Sequence, residues 1–277
     1  MAVLLALCSA ATYGVGDFFG GTAARRAPAT AVLLWSHVVG LGLLLVATLV
    51  ISGDPTAGDL AIGAAAGLAG AVGVGLLYHA LSLGQMGEIA PVTGLLAAAV
   101  PVAAGYAQGE RPALTAVAGM VLALAAIVLV SAEGGGSLRP SDWHAVRVAL
   151  GAGLGFGLFF VIISHTGDGS GVWPVAAARA TSVAVVGTLA LTRRVRSDVP
   201  TAGARWATAG AGALDMAANV LYLLAVREGL LSVVSVLSSL YPASTVVLAW
   251  LILRERFAPM QRVGLLLAVP SAELMAV

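Results

Sequence analysis

The chain has 277 residues, 60% of them hydrophobic and only 10% charged, with a mean hydropathy of +1.00 and a formal net charge of +1. A soluble domain carries roughly 25% charged residues, so a water-soluble globule is excluded; the near-neutral balance also argues against a nucleic-acid partner, which needs a basic face. The single cysteine, Cys8, excludes an intrachain disulfide and any multi-cysteine metal site.

A helix crosses ~30 Å of hydrocarbon with ~20 residues. Apolar runs of that length fall at about 2–20, 29–51, 60–83, 88–107, 112–131, 144–164, 172–192, 204–226, 232–253 and 258–276. Backbone groups in lipid must bond internally, so long apolar runs are helices. They lack the alternation of a barrel wall. The predicted fold class is therefore all-α: a polytopic membrane protein of ten transmembrane spans with the lipid bilayer as its surroundings. Span 1 is read as a retained helix and not a signal peptide. No basic stretch precedes it, and Leu7 is too large for the position before a lipidated cysteine.

Polar residues inside these spans are the candidate functional groups, since a charge at mid-bilayer costs at least ~2.5–3.5 kcal/mol. In span 1, Tyr13 and Asp17 lie four apart on one helix face. Asp17 is near the span end, where pairing with Arg25 or Arg26 is the simpler reading. Span 2 holds Trp35 and His37, and a histidine titrates near neutral pH. A relay or substrate contact and a plain hydrogen bond to a neighbour are both open for His37. Span 3 ends on Tyr78 and His79, after Gly63, Gly67 and Gly70, which allow close helix approach.

Span 7 carries Arg179 near its middle. A guanidinium forms bidentate contacts with carboxylates or phosphates, so Arg179 is either an anchor for an anionic substrate group or half of a structural ion pair. Span 8 carries Asp215, Asn219 and Tyr222. Spacings of four and three put them on one face, which either lines a cavity or ties helices together. The predicted substrate-binding set is thus Arg179, Asp215, Asn219, Tyr222, His37, Tyr78, Tyr13 and Trp35.

The longest polar breaks are 133–142 and 193–205, and the first divides the chain nearly in half. Corresponding segments recur across it. Tyr13-Gly-Val-Gly-Asp-Phe-Phe19 matches Leu154-Gly-Phe-Gly-Leu-Phe-Phe160, Leu77-Tyr78 matches Leu221-Tyr222, and Gly109-Glu110-Arg111 matches Arg254-Glu255-Arg256, at offsets of 141, 144 and 145. The predicted units are 1–133 and 142–277. Five spans is an odd number, so the second copy must enter the membrane from the opposite side. Such inverted repeats recur in secondary transporters. Glu110 and Glu255 stand before spans 5 and 10, where a carboxylate favours the positive end of a helix.

Two copies of five spans, with a Gly-Glu-Arg-like turn before the last of each, resemble the EamA family of the drug/metabolite transporter superfamily. The resemblance is carried by Leu221-Tyr222-Leu-Leu-Ala-Val226, Ser238-Ser-Leu-Tyr-Pro242, Leu253-Arg-Glu-Arg256, Tyr78-His-Ala-Leu81 and Gly109-Glu-Arg111, and it covers nearly the whole chain. Pro242 keeps the family's spacing of about 13 residues before the turn Glu255, whereas the first copy has Ala97 there. The resemblance implies a central cavity walled by spans 1–4 and 6–9. It places spans 5 and 10 at the periphery, available for packing or for a homodimer. It also implies a small-molecule substrate.

Basic residues mark cytoplasmic loops. Arg25, Arg26, Arg139, Arg147, Arg193, Arg194, Arg196, Arg205, Arg254, Arg256 and Arg262 fall on one side, with only Arg111 and Arg227 opposite. By this count both termini are outside, whereas the family resemblance puts them in the cytoplasm. No GxxxxGK[ST] loop, HExxH helix or G-x-S-x-G elbow is present. The expected function is a secondary transporter, not an enzyme. It would export a small metabolite or drug-like molecule by alternating access, with proton coupling, across a bacterial cytoplasmic membrane and without a cofactor. A membrane-embedded enzyme and a passive channel or structural subunit are the alternatives.

Overall fold

The computed structural model describes residues 1–83, 86–131, 143–192, 200, 202–254 and 258–277, with backbone alone at 78, 81–83, 86–91 and 253. Among the described residues the chain is helical with no strand. The helices are α1 Ala2–Ala24, α2 Ala29–Val50, α3 Ala57–Leu83, α4 Met86–Ala107, α5 Leu114–Ser131, α6 Trp143–Ile163, α7 Trp173–Thr192, α8 Ala202–Glu228, α9 Leu231–Ser238, α10 Tyr241–Leu253 and α11 Pro259–Ala276. Eight stretches are long and apolar enough to cross a membrane, with α9 and α10 together forming one of them, Leu231–Ile252; α4 adds a shorter apolar stretch, Val92–Ala107. The 133–142 break with its Arg139, and the residues Arg193, Arg194, Arg196, Glu255 and Arg256, lie outside the described residues.

Span 9 is split because of Pro242. Proline has no N–H to donate, and its ring clashes with the carbonyl four residues back, which here is that of Ser238. Helix α9 accordingly ends at Ser238, and α10 restarts at Tyr241 with Pro242 in its first turn.

Helices of the two halves interleave. Helix α1 lies on α8, α3 on α6 and α7, α4 on α6, α2 on α7 and α8, and α5 on α11. Glycines set these approaches. A Cβ at Gly67 would run into the Ala178 backbone, and one at Gly63 into that of Pro174. Glycine at these sites lets the α3 and α7 backbones touch.

The repeated turn is conserved in backbone as well as in sequence. Gly109 has φ of 94° and Arg254 has φ of 57°, both left-handed. Glycine accepts this freely, while an L side chain is strained by roughly 1–2 kcal/mol. The second copy therefore keeps the turn at a cost the first avoids.

Glu110 serves a different helix from the one it precedes. Its carboxylate accepts hydrogen bonds from the backbone N–H of Leu231 (2.5 Å) and of Ser232 (3.0 Å). It thus caps the start of α9 in the other half and not α5, satisfying donors that a helix start leaves open.

One end of the bundle is tied by side chains. Asp59, at the start of α3, accepts from Gly167 N (2.7 Å), Thr56 N (2.9 Å) and Thr56 Oγ1 (2.7 Å). Arg227, at the end of α8, donates to the carbonyls of Gly171 (3.0 Å) and Gly167 (3.1 Å) and to Ser170 Oγ (2.8 Å). Asp54 N donates to Gly169 O at 2.9 Å. The 51–56 segment, the 164–172 segment and α8 are thereby bound together. At the opposite end, Arg26 Nη1 donates to Gly203 O at 3.1 Å.

Candidate functional site

The site lies where α1, α2, α7, α8 and α10 meet. Its centre is an ion pair between Arg179 Nη2 of α7 and Asp215 Oδ2 of α8. Arg179 is buried, and the Asp215 side chain keeps 35% of its surface accessible. Two unpaired charges in hydrocarbon are costly, and the pair removes most of that cost.

Small residues bring the partners into reach. A Cβ at Gly40 of α2 would lie 3.0 Å from Gly212 O and 3.8 Å from Arg179 Nε. A Cβ at Gly212 would collide with the backbone of Ser36. Helices α2 and α8 therefore touch backbone to backbone, with the guanidinium beside Gly40. His37, one turn earlier on α2, is buried, and its Nδ1 lies 2.9 Å from Ser182 Oγ of α7. Of the two readings of His37, the hydrogen bond to a neighbouring helix is the one seen.

The polar face of α8 is continuous, but its depth changes. Asp215 is accessible, Asn219 is 6% exposed and Tyr222 is 0% exposed. Asn219 Nδ2 donates back to Asp215 O at 2.7 Å. Tyr222 packs its ring 4.3 Å from that of Phe160, and its Oη lies 2.8 Å from Ser235 Oγ and 3.3 Å from Phe160 O. Access is lost along this face in the direction of Arg227 and the tied end.

Helix α1 forms the other wall. A Cβ at Gly16 would sit 3.4 Å from Asp215 N, and one at Gly14 would strike Ser244 and the Tyr241 carbonyl of α10. Thr245 Oγ1 donates to Gly14 O at 3.1 Å. So α1 runs in a slot between α8 and α10. Tyr13 meets Tyr241 with ring centroids 6.3 Å apart.

Asp17 stands one turn beyond Tyr13 on α1. Arg26 donates to the Gly203 carbonyl. Asp17 is exposed and lies within electrostatic reach of Asp215, Tyr13 and Tyr241.

Of the predicted site residues, Arg179, Asp215, Asn219, His37 and Tyr13 come together here. Tyr222 closes the inner end through Phe160 and Ser235. Trp35 is half-buried on α2 and has a partner of its own. The Tyr78 side chain lies outside the described residues. Sequence reasoning passed over Ser182 and Tyr241. Tyr241 had one signal, its place beside the helix-breaking Pro242. Among the described residues no three His, Cys, Asp or Glu side chains gather as a metal site.

The model of the EamA-like transporter family matches residues 1–132 and again residues 144–277. The chain belongs to the EamA-like transporter family. This EamA-like protein is thus a multi-pass membrane protein of a transporter family, with the family's unit present twice. No curated protein matches it. Twenty-four solved chains do. One, described as "Crystal structure of protein", has a TM-score of 0.82 at 16% identity, covering 100% of this chain and 98% of its own. At that identity the likeness is one of fold.

Proposed function

We propose that this EamA-like protein is a secondary transporter that exports a small metabolite or drug-like molecule across the bacterial cytoplasmic membrane by alternating access. In this reading ten spans cross the bilayer, and the units 1–133 and 142–277 are inverted copies. Reciprocal packing supports the inversion. Helix α1 rests on α8 while α6 rests on α3, as two turned copies require. The outer faces of α5 and α11 expose Leu114, Val121, Leu266 and Val269 to lipid or to a second copy.

The observation that carries the reading is the Arg179–Asp215 pair, buried on one partner and accessible on the other. A charge pair kept at this depth needs a task that an apolar pair could not perform. It offers a switchable contact: a substrate group or a proton that engages Asp215 releases Arg179 and loosens α7 from α8. Export is supported by the side of access. The accessible carboxylates face the arginine-rich end, which is cytoplasmic by charge bias, and the other end is tied. Proton coupling is supported by Asp215 and Asp17, each placed to take up a proton as access alternates.

The test is flux. Purified protein is screened with metabolites for thermal stabilisation, and stabilising compounds are followed in proteoliposomes at varied pH. Arg179→Ala and Asp215→Ala should each fall to the empty-liposome background while still inserting. Wild-type flux from both variants removes the pair from the mechanism.

A further inference from the structure

At the arginine-rich end, two histidines from different units meet. His79 lies near the end of α3, just past its apolar stretch Ala57–Leu77. His144 is the second residue of α6. Close packing of the two helices brings them together. Ala80, Ala145 and Ala149 form a buried seam there, none of them more than 1% exposed. Small residues let helices approach this closely. Each histidine directly precedes an alanine of the seam, Ala80 or Ala145. The imidazole centroids are 6.3 Å apart, with planes inclined at 82°. Both residues are exposed.

That separation suits one shared metal ion. Metal–nitrogen bonds of ~2.0–2.1 Å put the centres of two ligating imidazoles roughly 5–6.5 Å apart. Each ring turns about its own metal–nitrogen bond, so perpendicular planes are admissible. Imidazole suits zinc, copper and nickel, whereas magnesium and calcium prefer oxygen ligands. At the membrane edge, water can fill the remaining coordination positions. Arg147, one turn further along α6, directs its Nε to the Trp143 carbonyl at 3.4 Å.

We infer that His79 and His144 form a two-imidazole site for a divalent d-block cation of the zinc, copper and nickel class. The site lies on other helices than the Arg179–Asp215 pair, and it stands whether or not the chain is a carrier. A bound ion fastens α3 of the first unit to α6 of the second at the arginine-rich end. A ligand that binds the folded chain alone also stabilises it.

The probe is Zn2+ alone, added to the purified full chain in detergent after removal of any polyhistidine tag and any bound metal. Calorimetry should show one ion per chain, and the thermal midpoint should rise; Mg2+ should give neither. His79→Ala and His144→Ala should each weaken Zn2+ binding about tenfold or more, and the double variant should lose little beyond either, because a single imidazole cannot chelate. His165→Ala, at the tied end, should bind as wild type. The metal-free midpoint should stay at the wild-type value in every variant, since these side chains are exposed. Where alanine lowers it, His79→Gln and His144→Gln take its place. Cu2+ gives a second readout. Its electron paramagnetic resonance should show two coupled imidazole nitrogens in wild type and one in either single variant.

Zn2+ binding that survives in a folded double variant overturns the inference. So does a wild-type chain that takes up no Zn2+, an equal loss in His165→Ala, or a wild-type copper spectrum with a single imidazole nitrogen.

Discussion

Two helix crossings hold the halves together, and they differ in chemistry more than in packing. In α1 on α8, Gly16 meets the backbone at Asp215, and Ser9 Oγ donates to Ala218 O at 2.8 Å. In α6 on α3, a Cβ at Gly155 would lie 2.7 Å from Gly73 Cα, and Phe156 and Phe159 cover Gly73 and Gly70. Both copies use glycines to reach two neighbours, but not at matching positions: Gly14 reaches α10 and Gly16 α8, whereas their sequence matches Gly155 and Gly157 reach α3 and α4. Around these glycines the first copy carries Tyr13 and Asp17 and the second Leu154 and Leu158. Close packing is shared and the polar chemistry is not. A symmetric scaffold thus holds an asymmetric site.

Changes on the two crossings should separate accordingly. The largest effect on folding is expected at α3–α6. Gly155→Val has backbone on the other side and nowhere to move, so overpacking should cost about 1–3 kcal/mol or more. The loss should be visible as a fall in the monodisperse fraction and in thermal stability. Gly21→Ala in α1, which meets nothing within 4 Å, should leave both unchanged. On α1–α8, Asp17→Leu removes the acidic group of α1. It should fold as wild type and lose roughly tenfold of flux.

A smaller effect is expected at the tied end. Arg227→Gln removes three donated hydrogen bonds, each worth about 1 kcal/mol or somewhat more. A cysteine at Ser235, behind Tyr222, should then react faster with a water-soluble thiol reagent. Unchanged labelling would show that Arg227 does not hold this end closed. The smallest change is Arg254→Gly. It relieves a left-handed residue and should stabilise by about 1 kcal/mol, measured by unfolding.

Much of this was legible in the sequence, for reasons that differ by residue. The helices were legible because lipid demands long apolar runs, and their positions follow those runs closely. Arg179 and Asp215 were legible because a charge inside such a run is rare. The break in span 9 was not read: the run 232–253 looks continuous, and Pro242 splits it. Depth was not legible. Helical spacing gives Asp215, Asn219 and Tyr222 one azimuth, but only the packing of Phe160 and Ser235 shows that access ends before Tyr222. Partners across the two halves were hidden too. Glu110 reads as the start of α5, yet it caps α9, more than a hundred residues away in sequence.

The central claim is that the two ends of the bundle open in alternation around one site. In a Cys8→Ser background, spin labels at Ala57 and Gly169 span the tied end, and labels at Ala24 and Gly203 span the arginine-rich end. Pulsed dipolar distances, taken in nanodiscs with and without a stabilising compound and at two pH values, should show two populations, with one distance lengthening as the other shortens. Both distances staying fixed while the same preparation transports would contradict the account.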